Sequence, residues 1–180
     1  MKKYNLSTPL LILTLIFNVP STRAQDTLQF PIPVGNPNQL FFLQRTQNIN
    51  TVIYELNIKN GVMDTLNPVH IFWICYAEKS QKEELTEIQR KHAYGLLARY
   101  ISKDHYELMF LAYKKYTLDL KKGLDNAFHV YAKINQKQTI LSRIYIQIHG
   151  GTLLSPNIEY VMLTGTDPES GTEVTEKKKI

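Results

Sequence analysis

The segment Val69–Tyr76, VHIFWICY, limits the fold most, because it is apolar on both of its faces. At a period of two, Val69, Ile71, Trp73 and Cys75 share one side, and His70, Phe72, Ile74 and Tyr76 the other. Such a strand has to be covered twice, so it belongs inside a layered structure. Thr51–Lys59 shows the same period more simply, with Val52, Tyr54, Leu56 and Ile58 against Ile53, Glu55 and Asn57.

Six further segments read as strands: Leu40–Gln47, Tyr106–Tyr113, Tyr116–Lys121, Ala127–Ile134, Thr139–His149 and Asn157–Gly165. One stretch breaks the period. Ser80-Gln81-Lys82-Glu83 has the spacing of a capping box, and Leu85, Ile88, His92 or Ala93, Leu96, Leu97 and Tyr100 recur at helical intervals. Gly95 inside that helix costs about 1 kcal/mol relative to Ala, which predicts a close approach by a strand or aromatic ring. The expected fold is mainly β: about eight antiparallel strands, closed as a barrel or folded as a sandwich, with one α-helix inserted after the third.

Register follows from matching faces, since a one-residue slip reverses every side chain. A Lys114-Lys115 turn would set Leu111 opposite Leu118 and Met109 opposite Leu120, although two lysines are poor turn chemistry. A three-residue loop, Gln136-Lys137-Gln138, would set Val130 opposite Ile144 and Phe128 opposite Ile146. That register places Tyr131 across from Arg143 and His129 across from Tyr145.

The ends of the chain speak to location. Lys2 and Lys3 precede the apolar run Pro9 to Val19, and Thr22-Arg23-Ala24 presents small residues where a signal peptidase reads. The expectation is an exported protein, periplasmic or extracellular, cleaved after Ala24. Its apolar core is well short of the ~20 residues that span a bilayer, so no membrane-embedded part is expected. Losing residues 1–24 leaves 18 basic against 16 acidic residues, and Lys177, Lys178 and Lys179 supply much of that excess. No basic stripe is interleaved with aromatics, which argues against nucleic acid. The organisation expected is residues 1–24 signal peptide, 25–39 a Pro-rich extended arm, 40–166 one mainly β domain, and 167–180 a polar tail that adds an edge strand or stays loose.

Chemistry is sparse. Cys75 is the only cysteine, so it forms no internal disulfide, and its apolar face points to packing rather than nucleophilic catalysis. The five histidines show no metal-ligand spacing, and Gly150-Gly151 lacks the helix that phosphate binding requires. No catalytic residue, metal ligand or cofactor is therefore expected. The polar face carrying His129, Tyr131, Arg143 and Tyr145 is either the lining of a ligand cavity or the wet outer side of a hairpin. Arg45 follows three apolar residues, and its planar donor fork suits a carboxylate or phosphate.

The blocks FFLQRTQNINTVIYELN, PVHIFWICYAE, ELTEIQRKHAYGL and IEYVMLTGTDPESGTEVTEK resemble those of domain of unknown function 4833, a family found on secreted bacterial proteins. The resemblance runs from about Leu40 to Lys177 and implies a single exported domain. It transfers no catalytic residue. It does single out Gln44, Arg45, Asn50, Trp73, Gln89, Arg90, Tyr94 and Gly95, which stand within the blocks.

The function expected is a non-enzymatic binding protein for a small amphipathic or anionic ligand, held by Arg45, His129, Tyr131, Arg143 and Tyr145. The alternatives are an envelope or extracellular hydrolase, and a module that binds another envelope protein. The sequence leaves oligomeric state open.

Overall fold

The computed structural model describes residues 30–46, 48–152 and 155–179. The signal-peptide reading falls outside them. The chain is mainly β, with thirteen strands, a single 3₁₀ turn at Tyr76–Glu78 and one further short helical segment among the described residues. Nine strands form a curled half-barrel sheet in the order β6-β5-β2-β1-β11-β10-β9-β8-β7. These are β1 (Gln39–Arg45), β2 (Asn48–Leu56), β5 (Val69–Cys75), β6 (Gln81–Glu84), β7 (Leu96–Ser102), β8 (His105–Phe110), β9 (Tyr113–Lys122), β10 (Phe128–Ile134) and β11 (Lys137–Gly151). β3 (Ile58–Lys59) and β4 (Val62–Met63) form a small hairpin, while β12 (Pro156–Thr166) and β13 (Glu173–Lys179) extend the wall beyond β11.

The two-sided strand behaves as its sequence requires. Ile71, Trp73 and Cys75 join the main core, while Phe72 joins a second cluster with Phe42 and Ile53 on the opposite face. Neighbouring β2 divides in the same way, Val52 and Tyr54 inward and Ile53 outward. β5 lies one place from the sheet's end rather than at its middle, and β6, with the sequence QKEE, forms the charged edge beyond it. Charged side chains on an edge strand discourage pairing with other chains.

The strand order contains one parallel pair. β1 runs parallel to β11, with Phe42 opposite Arg143 and Arg45 opposite Ile146, whereas every other ladder is antiparallel. β12 occupies one edge of β11 from Ile140 to Gly151, so β10 and β1 share the other edge in turn. The sheet therefore splays beyond Ile140, and space opens between its two halves.

Both hairpin registers differ from the sequence expectation. The β8–β9 turn is Leu111-Ala112, which pairs Leu108 with Leu118 and Tyr106 with Leu120 and buries all four. The β10–β11 turn is Asn135-Gln136, both at positive φ (49° and 67°), as a two-residue hairpin demands. Tyr131 consequently faces Ile140, not Arg143.

The helix is shorter and later than expected. Lys79 and Ser80, at φ 59° and 60°, turn the chain back so that Gln81–Glu84 pairs with β5. The capping box belongs to Thr86 and Gln89, which exchange bonds of 3.3 and 2.9 Å. α1 (Glu87–Gln89) continues into a π turn, Arg90–Tyr94, closed by Gly95 N donating to Arg90 O at 3.0 Å. A Cβ on Gly95 would lie 2.0 Å from that oxygen, so the position admits only glycine without backbone movement. Past it, Leu96–Ser102 is a strand. This segment joins the two ends of the sheet path, β6 and β7. It is fastened by Tyr54 Oη donating to Tyr94 O at 2.9 Å and by Trp73 meeting the Tyr94 ring edge-on at 5.0 Å.

On the outer face, residues 30–38 run without regular structure before β1. Pro33 is buried there, Pro31 O accepts from Gln44 Nε2 at 2.8 Å, and Phe30 lies edge-on to Tyr145 at 5.4 Å. Residues 173–179 take the edge-strand alternative for the tail, pairing with β12.

A carboxylate network ties β2, β5 and β6 together. Glu55 accepts from Asn36 Nδ2 at 2.6 Å, lies 2.7 Å from His70 Nδ1 and 3.4 Å from Lys82 Nζ, and His70 Nε2 lies 2.9 Å from Glu84. Burial alone would raise the Glu55 carboxyl, but the hydrogen bonds from His70 and Asn36 and the Lys82 charge outweigh it and hold the group below the ordinary 4.5. A depressed carboxyl contributes stability above its unfolded pKa and loses that contribution as pH falls through the folded value. Wild-type unfolding free energy, followed by urea titration, therefore drops more steeply below about pH 4.5 than that of Glu55→Gln. Parallel acid limbs would overturn the assignment.

Candidate ligand cavity and its polar annexe

The space opened by the splayed sheet is a cavity of about 570 Å³. Ile144, Ile146 and Ile148 of β11, with Ile158, Val161 and Leu163 of β12, form one wall. Leu43 of β1, Ala93 and Tyr94 of the helical segment, and Phe110, Tyr113 and Tyr116 around the β8–β9 turn form the others. Alternation explains the isoleucines, since every second residue of β11 beyond the Leu141–Arg143 bulge turns inward. Polar side chains are few: Arg45, Gln89, His92, Ser155, Lys178 and Lys179.

Arg45 is the unusual member. It continues the inward series Phe41, Leu43, Arg45 along β1, so the strand period carries a guanidinium into apolar surroundings. Among the described residues its buried Nε has no hydrogen-bond partner, and no ion pair includes it. A buried donor left unpaired costs about 1–3 kcal/mol. By contrast Lys178 is answered, by Glu176 at 3.3 Å and the Tyr116 ring at 4.9 Å. Burial, with Glu176 nearby, pushes the Tyr116 phenol up to about 12. It stays protonated at neutral pH, donating to Lys133 O at 3.1 Å.

A smaller space of about 180 Å³ adjoins the cavity and shares Arg45 and Gln89 with it. Asn48, Asn50, Trp73, Cys75, Glu78 and Glu83 complete its lining. Burial raises the Cys75 thiol, and Glu83, charged and hydrogen-bonded to it, raises it further. That disfavours the nucleophilic thiolate at neutral pH.

The five residues expected from the sequence to bind ligand are not gathered in one place. Arg45 lines the cavity; the other four line neither space. His129 bonds Asp125 at 2.8 Å and meets the Tyr131 ring at 6.3 Å, with Lys121 over that ring at 4.7 Å. Arg143 lies 5.5 Å from the Tyr145 ring, and Tyr145 Oη donates to Gln147 at 2.8 Å. Val130, Ala132 and Ile134 fill the core from β10, so His129 and Tyr131 belong to its opposite face. The β11 residues that line the cavity, Ile144, Ile146 and Ile148, lie on the side opposite its polar face, and their alternation with Arg143, Tyr145 and Gln147 is the signal that marks them.

The residues of the His–carboxylate pairs, His70 with Glu55 and Glu84, His105–Asp119 and His129–Asp125, line neither space. Among the described residues no three His, Cys, Asp or Glu gather as a metal would need, and no helix is long and apolar enough to cross a membrane.

Fold and site together define a small half-barrel domain with an apolar cavity and an embedded arginine. A family model described as Domain of unknown function (DUF4833) matches residues 41–177, and the chain belongs to this family. The match takes in nearly every cavity residue from Leu43 onward; only Lys178 and Lys179 fall beyond it. No curated protein and no solved structure matches the chain.

Proposed function

We propose that the protein binds a small amphipathic molecule, its apolar body in the 570 Å³ cavity and an anionic or hydrogen-bond-accepting group at Arg45. The observation that carries this reading is the buried guanidinium Nε of Arg45, without a partner among the described residues, in a largely apolar wall. Ligand sites are typically clefts of about 300–1,000 Å³ with few polar groups placed to orient the occupant. The leader-like pattern in residues 1–24 supports a role outside the cytoplasm, periplasmic or extracellular. The absence of these His–carboxylate pairs from the cavity lining supports binding over hydrolysis.

Titration calorimetry with dodecanoate tests the reading, with dodecylammonium as the chain of opposite charge. Dodecanoate binds and dodecylammonium binds more weakly. Ile146→Trp, which fills the middle of the wall, weakens dodecanoate by more than about tenfold while circular dichroism stays unchanged. Equal affinity for both chains, or an unaffected Ile146→Trp, overturns the assignment.

A further inference from the structure

The annexe brings buried donors and exposed carboxylates together. Trp73 is 6% exposed, yet its indole N–H has no partner among the described residues, and neither has the buried Arg45 Nε. The amide oxygens beside them are already used by the backbone. Asn48 Oδ1 accepts from Asn50 N at 2.9 Å, Asn50 Oδ1 from Ala77 N at 3.4 Å, and Gln89 Oε1 from Thr86 N at 2.9 Å. Because a backbone N–H needs an oxygen, these bonds fix the amide orientations and leave three NH₂ groups without an acceptor among the described residues. The inner part of the annexe is therefore rich in donors.

Glu78 and Glu83, both exposed, line the same space. A plain anion would satisfy the donors but meet two carboxylates against one guanidinium. A plain cation would suit the carboxylates and leave the buried indole and guanidinium N–H groups unanswered, at the cost of unpaired buried donors. One head group suits both: an anionic oxygen for the donors, joined to an ammonium for the glutamates.

We infer that the annexe selects a zwitterionic amino-carboxylate head on the amphipathic ligand, whose chain passes between Arg45 and Gln89 into the cavity. This rests on the cavity being the ligand site. The carboxylate lies against Trp73 Nε1 and Arg45, and the ammonium against Glu78 and Glu83.

The test compares three probes of similar chain length by calorimetry on the full mature chain: 2-aminododecanoate, dodecanoate and dodecylammonium. 2-Aminododecanoate binds at least about tenfold more tightly than either of the others. The preference over dodecanoate disappears in the Glu78→Gln/Glu83→Gln double variant, whose substitutions are on exposed side chains and leave the fold unchanged. Trp73→Phe weakens both carboxylate probes. If dodecanoate binds as well as 2-aminododecanoate, the annexe has no zwitterion selectivity and this inference fails while the cavity reading stands. If none of the three binds, the cavity reading fails and takes the inference with it.

Discussion

Phe41→Ala is expected to lower the unfolding free energy by about 3–5 kcal/mol, a large share of the ~5–15 kcal/mol that holds a domain folded. Phe41 is fully buried at the point where β1 meets β2, and its ring stacks on Tyr54 at 4.2 Å with only 9° between planes. Phe110 closes the cluster edge-on to both rings, at 6.5 and 5.9 Å. Removing the Phe41 ring leaves a void beside Tyr54, because Tyr54 is held at its far end by the bond to Tyr94 O and does not swing across to fill it. Urea unfolding would show a lower midpoint with an unchanged slope. The adjacent Phe42→Ala should lose less, since Phe42 belongs to the smaller outer cluster. Equal losses would show that the two faces are not energetically distinct.

Arg45→Met should move stability and binding in opposite directions. Methionine fills much the same volume without a charge, so the variant removes an unpaired buried N–H and is expected to be as stable as wild type or up to about 1–3 kcal/mol more stable. Dodecanoate affinity should fall roughly 10–100-fold, the worth of a charge-assisted hydrogen bond of about 1.5–3 kcal/mol. Thermal unfolding without ligand and calorimetry with it check the two halves separately. A variant that loses both stability and binding would make Arg45 a structural residue, and the site would have to be sought elsewhere.

The strand-forming residues are readable because burial on two faces leaves few choices. VHIFWIC cannot be a surface helix, and NTVIYEL alternates too regularly to be anything but a half-covered strand. The stretch from Ser80 to Ser102 is ambiguous for a physical reason. Leu96, Ala98 and Tyr100 fit a period of two, yet Leu96 and Tyr100, with Leu85, Ile88 and Leu97, also fit a helix. What decides between them is non-local: β5 needs a partner at its open edge, and Gly95 cannot carry a side chain beside Arg90 O. Thr86-x-x-Gln89 was the better start signal, lying directly before the turn that forms. Hairpin registers fail similarly. Leu111-Ala112 is a turn because it lets Leu108 meet Leu118 inside, not because its residues favour turning. Arg45 was legible as a charge following an apolar run, whereas the cavity around it is assembled from strands about a hundred positions apart, which no local pattern displays.

The parallel seam between the first strand and the eleventh also governs when the protein can finish folding. Thr46 bonds the carbonyl of Ile146 across one hundred positions, so the opening strand has no permanent neighbour on that side until nearly the whole chain has been made. Closing so long a loop is entropically demanding, and topologies rich in distant contacts fold slowly. A chain of this design leaves one side of its first strand bare until β11 has been added, so sheet closure comes after the local hairpins.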